Sequence, residues 1–192
     1  MAEIKSAMEM ALERAERFGR ATKEEMAEAR HREQGQQLAV NFLKAEGDLE
    51  AELKATPPEA LPAVRAGVRE VCLRNVALPR NGELDPRLSR ALEGLLLAAE
   101  QEKAMARFKS EVEQLMSNFL QVRNNAYQQL KARFSASLGD YTRALEIQLR
   151  QKVRLEVEQI PQFQEEWRRF LGQLQDQFEP LLEELKARMQ RA

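Results

Sequence analysis

Between Pro86 and Arg191 the chain is almost free of helix breakers. Only Gly94, Gly139 and Gly172 and the later prolines Pro161 and Pro180 interrupt it. A stretch this long, dominated by Ala, Glu, Gln, Leu, Lys and Arg, has the composition of long helices and coiled coils. It constrains the chain to an all-α fold. The sharpest local interruption is Leu138-Gly139-Asp140, and a bend there predicts a long antiparallel helical hairpin, a coiled-coil-like arm with its turn at 138–140. Shorter N-terminal helices are then expected to pack around the base of the arm. The corresponding division is residues 1–84, with about three to four short helices, and residues 85–192, the hairpin, together forming one structural unit.

The apolar spacing supports two paired helices. Phe108, Val112, Leu115, Phe119, Val122 and Ala126 alternate steps of four and three, a heptad seam. Leu130, Phe134 and Leu138 then step by four, as do Tyr141, Leu145, Leu149, Val153 and Val157 beyond Gly139. Equal strides on both sides of Gly139 predict that the halves face each other. The expected pairs are Ala126 with Val153, Phe119 with Ile160, and Val112 with Trp167. Pro161 and Pro180 are expected to bend the second helix. Near the base, Leu88, Ala91, Leu92 and the run Leu95–Ala99 surround the helix, the mark of burial against several neighbours.

The helix of the arm has a strong start signal. Pro79-Arg80-Asn81-Gly82 reads as a turn, and Asp85-Pro86 as an N-cap followed by Pro at the first helical position. Upstream, Ile4, Met8, Leu12, Ala15 and Phe18 mark a helix from about Glu3 to Phe18, with Gly19 ending it. Thr22 to Glu25 has the spacing of a capping box for a second helix, whose apolar contacts are expected from Met26, Ala29, Leu38, Phe42 and Leu43. Gly47-Asp48 breaks that helix ahead of a short piece, Leu49 to Ala55. Thr56-Pro57-Pro58-Glu59 is a further candidate cap, although Pro62 places the alternative start near Leu61. Leu61, Val64, Val68, Val71 and Cys72 form one stripe of the helix that follows.

Charge is distributed unevenly along the 192 residues, which carry a net charge of −1. The first sixty residues hold nine basic and thirteen acidic side chains. Residues 114–155 hold seven basic side chains, Arg123, Lys131, Arg133, Arg143, Arg150, Lys152 and Arg154, against two acids, Asp140 and Glu146. These seven are the candidate contacts for a partner or an anion, on the part of the arm, 121–155, expected to project as its tip. Asn118, Asn124, Asn125, Gln128 and Gln129 lie among them and suit phosphate or sugar contacts.

Catalytic chemistry finds few candidates. His31 is the single histidine, so Glu28-Ala29-Arg30-His31 has the Glu-x-x-His spacing of di-metal bundles without the second motif such sites need. Cys72 is the single cysteine and lies on an apolar stripe, where a thiol behaves as a small hydrophobe. Neither a P-loop nor a dinucleotide fingerprint occurs. No catalytic, cofactor or metal site is therefore expected. The lone Cys72 and the early acid in Met-Ala-Glu-Ile-Lys point to a reducing, cytoplasmic setting without a secretory signal. No apolar run is long enough for a transmembrane helix. The expected function is a non-enzymatic scaffold or adaptor that binds a protein partner through the arm, with a homodimer open through the same seam. The alternative is a nucleic-acid-binding or anionic-surface-binding arm acting through the basic tip.

Overall fold

The computed structural model describes residues 23–192, and the helix expected over Glu3–Phe18, its Gly19 end and the Thr22 cap lie outside them. The fold class is all-α. In chain order the helices are α1 Lys23–Leu43, α2 Leu49–Ala55, α3 Leu61–Asn75, α4 Pro86–Leu97, α5 Glu102–Leu149 and α6 Pro161–Arg191, with a single 3₁₀ turn at Val157–Gln159. The chain divides into two compact units, one ending at Val71 and the other running Cys72–Ala192.

The first unit is organised by a close helix crossing. Gly35 of α1 lies against the backbone of Val64 in α3, and Gly67 of α3 lies against the backbone of Arg32 in α1. A Cβ on Gly35 would stand 2.8 Å from the Val64 carbonyl carbon and closer still to its oxygen. Only glycine permits such an approach. Gly35, Ala39 and Leu43 are the buried face of α1, one residue every helical turn. The expected contacts Met26 and Ala29 are exposed instead. The Glu70 carboxylate fastens the crossing by accepting hydrogen bonds from Arg32 Nε at 3.2 Å and Gln36 Nε2 at 2.9 Å.

Local chemistry sets the ends of the short helices. Asp48 caps α2, its carboxylate accepting the Ala51 amide hydrogen bond at 3.1 Å. Thr56 closes α2 rather than opening the next helix: its Oγ1 donates to the Glu52 carbonyl at 2.8 Å. Pro62 then falls in the first turn of α3, where no backbone donor is required. The anticipated start of α4 is present, with Asp85 accepting from the Arg87 amide at 2.8 Å and Pro86 at the first position.

The second unit departs from a single unbroken helix at two places. α4 ends at Leu97, and Ala98 to Gln101 form a break before α5, although none of these residues is Gly or Pro. The Ala98 amide caps back to the Gly94 carbonyl at 3.0 Å while Ala98 itself is fully buried. The other departure corrects the hairpin. Gly139 does not turn the chain; it lies inside α5, and nothing stands within 4 Å of where its Cβ would be. One exposed glycine weakens a helix by about 1 kcal/mol and does not end it. The apolar positions Phe134, Leu138 and Tyr141 continue straight through it. α5 instead stops at Leu149, where Arg150 adopts a left-handed conformation (φ 54°). Residues 151–156 follow as irregular chain, and α6 opens on Pro161 after an extended Ile160, as a residue before proline prefers. Pro161 therefore begins the second helix instead of bending it, and Pro180 lies within that helix.

The later turn shifts every pairing between α5 and α6. Phe119 meets Phe178, with ring centroids 5.4 Å apart, and not Ile160. Tyr127 meets Phe163 and Trp167 at 5.9 and 5.1 Å, and Phe134 meets Phe163 at 5.6 Å. All are edge-to-face, the favoured arrangement for ring pairs. Val157, Ile160 and Phe163 make the buried cluster behind the turn, covered by Leu130, Phe134, Leu138 and Tyr141 from α5. Along α5 the buried positions are Met105, Val112, Met116 and Phe119. Val122, expected in the seam, is left 43% exposed.

Candidate interaction surface

The seven basic residues do not form one stripe. Arg123 is a structural clamp. Its guanidinium lies over the Trp167 ring, 5.3 Å from the centroid, and packs onto Gly82 in the loop before α4. Gly82 has φ +81°, and a Cβ there would stand 2.7 Å from Arg123 Cζ. That position needs glycine for both conformation and space. Lys131 belongs to a second internal group: its Nζ is 2.5 Å from Glu158 Oε1, which also accepts from Tyr127 Oη at 2.8 Å. The Lys131 and Tyr127 hydrogen bonds favour the charged carboxylate and hold Glu158 down at about 2. The same Glu158 charge pushes Tyr127 up, chiefly through their hydrogen bond. Arg133 pairs with Glu166 across the helices.

Four cations lie beyond these cross-helix contacts. Arg143 stands 3.6 Å from Asp140 one turn away, both of them exposed. Arg150, Lys152 and Arg154 sit in the turn itself and are exposed to solvent. Asn124, one of the interspersed amides, accepts from Arg123 Nη1 at 3.3 Å.

An apolar cleft of about 410 Å³ opens midway along the helix pair, a feature the sequence reading missed. Ala126, Gln129, Leu130 and Arg133 line it from α5, and Glu166, Trp167 and Phe170 from α6. Trp167 and Phe170 stack at 5.7 Å with their planes 16° apart, which presents an aromatic floor. Val122 precedes Ala126 by one turn, and Leu181, 49% exposed, follows Phe170 by three turns of α6. The face is left open because α6 covers the Phe119–Tyr127 side of α5, so the heptad positions Val122 and Ala126 rotate outward. Trp167, expected opposite Val112 in the seam, is half-buried and meets Tyr127 instead.

Other candidate chemistries are placed as follows. No three His, Cys, Asp or Glu side chains come together as a metal site among the described residues. Cys72 is fully buried, and burial pushes its thiol up to about 12. No helix among the described residues is long and apolar enough to cross a membrane. No curated protein and no solved structure matches the chain. Residues 50–191 match a family of unknown function, DUF6657, and the chain belongs to that family.

Proposed function

We propose that the chain is a non-enzymatic interaction protein, a scaffold or adaptor, that receives an amphipathic helix of a partner protein in the α5/α6 cleft. The observation that carries this reading is the half-exposed Trp167–Phe170 pair lining the cleft, continued by Val122 and Leu181 at helical spacing. Helix-in-groove recognition uses apolar anchors one turn apart against such a groove. The cleft is concave, so a second copy presenting the same cleft would leave a void, which close packing disfavours. A convex helix edge fills it. The rim carries the Arg133–Glu166 pair, able to meet charges of either sign on the flanks of the incoming helix.

A photo-crosslinking residue in place of Gln129 tests this in cells. The expected result is an adduct with one defined protein, suppressed by Phe170→Glu in the same chain. Adducts only with itself, or none, would refute the reading. The nucleic-acid alternative draws less support from the geometry, because Arg123, Lys131 and Arg133 are already engaged by Trp167, Glu158 and Glu166.

A further inference from the structure

The end of the helix pair forms a second surface, separate from the cleft. The Tyr141 hydroxyl donates to Gln162, the second residue of α6, at 3.3 Å. α5 then continues from Thr142 to Leu149 past the start of its partner, an overhang of about 12 Å at 1.5 Å per residue. The returning chain folds along this overhang, held where the Val153 amide donates to Glu146 Oε1 at 3.1 Å. The return alternates: Val153 and Leu155 are half-buried and Val157 is buried, while Lys152, Arg154 and Glu156 are exposed. The last turn of α5 leaves Ile147 75% exposed and Leu149 50% exposed. Ile147 is the most exposed of the large apolar side chains in the described residues. Arg150, Lys152 and Arg154 follow it closely in the chain and are exposed, against two acids, Glu146, which accepts from the Val153 amide, and the exposed Glu156.

We propose that this projecting turn docks on an anionic lipid surface, with Ile147 and Leu149 entering the interface and Arg150, Lys152 and Arg154 meeting the headgroups. The charge pattern and shape favour this occupant. Apolar side chains beside unpaired cations gain both from partial burial between lipids and from the negative surface potential. A second copy of the same turn would bring three cations against three cations. The aliphatic apex also lacks the aromatic anchors that dominate protein hot spots. A bilayer accepts isolated aliphatic chains without a preformed pocket. The proposal is independent of the cleft: it predicts lipid binding that Phe170→Glu leaves unchanged.

Flotation of the full chain with phosphatidylcholine vesicles, with and without phosphatidylserine, tests it. Binding is expected only with the anionic lipid, and it should weaken about fivefold for each cation removed from among Arg150, Lys152 and Arg154. The pair Ile147→Ser with Leu149→Ser, with helicity checked by circular dichroism, should also weaken binding several-fold. A fluorophore at Gln148 should shift to the blue on anionic vesicles. The proposal is overturned if anionic vesicles bind no better than neutral ones. It is equally overturned if the serine pair binds as wild type, or if an oligonucleotide binds more tightly than the vesicles, since the turn would then be a reader of polyanions or nucleic acid.

Discussion

Alanine in place of Gly67 puts a methyl group into one of the two tightest contacts of the first unit. Its Cβ would lie 2.9 Å from the Gln36 amide nitrogen, 3.0 Å from the Arg32 carbonyl carbon, and closer still to the Arg32 oxygen. All three are backbone atoms of α1, so no side-chain rotation relieves the clash. The Arg32 oxygen is the worst of them, and restoring an ordinary contact of about 3.5 Å there moves the helices apart by about 1.5 Å. A gap of that size forfeits half or more of the dispersion attraction at the crossing and pulls Glu70 from Arg32 and Gln36. Overpacking of this kind costs about 1–3 kcal/mol, and rigid backbone on the receiving side places it near the upper figure. Alanine returns about 1 kcal/mol through helix propensity. The net expectation is a loss of about 2 kcal/mol, or a fall in Tm of roughly 4–8 °C for a chain of this size. Gly139→Ala supplies the matched control. It has the same substitution and helical setting but nothing within 4 Å, so it should gain up to about 1 kcal/mol. Urea unfolding followed by circular dichroism measures both. The reasoning fails if Gly67→Ala is as stable as wild type, or if both substitutions shift stability in the same direction.

Two further predictions concern ionisable groups. Glu158 has its pKa lowered to about 2 from an ordinary 4.5, so the stability it contributes is present above about pH 4.5 and is lost as pH falls through about 2. Glu158→Gln should therefore be less stable than wild type near neutrality by about 0.5 kcal/mol, reduced by solvent screening at a carboxylate 37% exposed, with the difference vanishing near pH 2; a gap independent of pH would contradict this. The Cys72 thiol, buried and pushed up to about 12, should resist a thiol-specific reagent at mild alkaline pH in the folded chain and react promptly in denaturant. Rapid labelling of the native protein would show that its helix opens locally.

What was legible in the sequence followed the range of the physics involved. The Asp85-Pro86 start of α4 and the Asp48 position ahead of α2 involve neighbours within three residues, and both could be read directly. The turn of the hairpin could not. Gly139 is the conspicuous local feature, but the packing of Leu138 and Tyr141 on Val157 and Ile160 outweighs one glycine. The informative signal was Pro161, whose best place is the first turn of a helix. The break at Ala98–Gln101 contains strong helix formers and coincides with full burial of Ala98, which no local rule reveals. The crossing at Gly35 and Gly67 joins residues of two separate helices. The basic residues show the same limit. Counting cations along the chain cannot distinguish Lys131, paired with Glu158, from Lys152, exposed in the turn.

The irregular return between α5 and α6 has a consequence for how such a chain can diverge. Val153 is held at Glu146, yet Glu158, five residues on, reaches Lys131 and Tyr127. The level of Phe134 lies about 22 Å down α5 from Leu149 at 1.5 Å per residue, and residues 150–157 reach little further even when extended. The connection therefore has little spare length. Beyond it, Val157 and Ile160 are packed under Phe134, Leu138 and Tyr141. A residue inserted around Gln151 can bulge outward at the turn, whereas a deletion between Val153 and Glu158 pulls on the Glu158 contacts. The turn can thus lengthen without changing the register of the helices, but it cannot shorten.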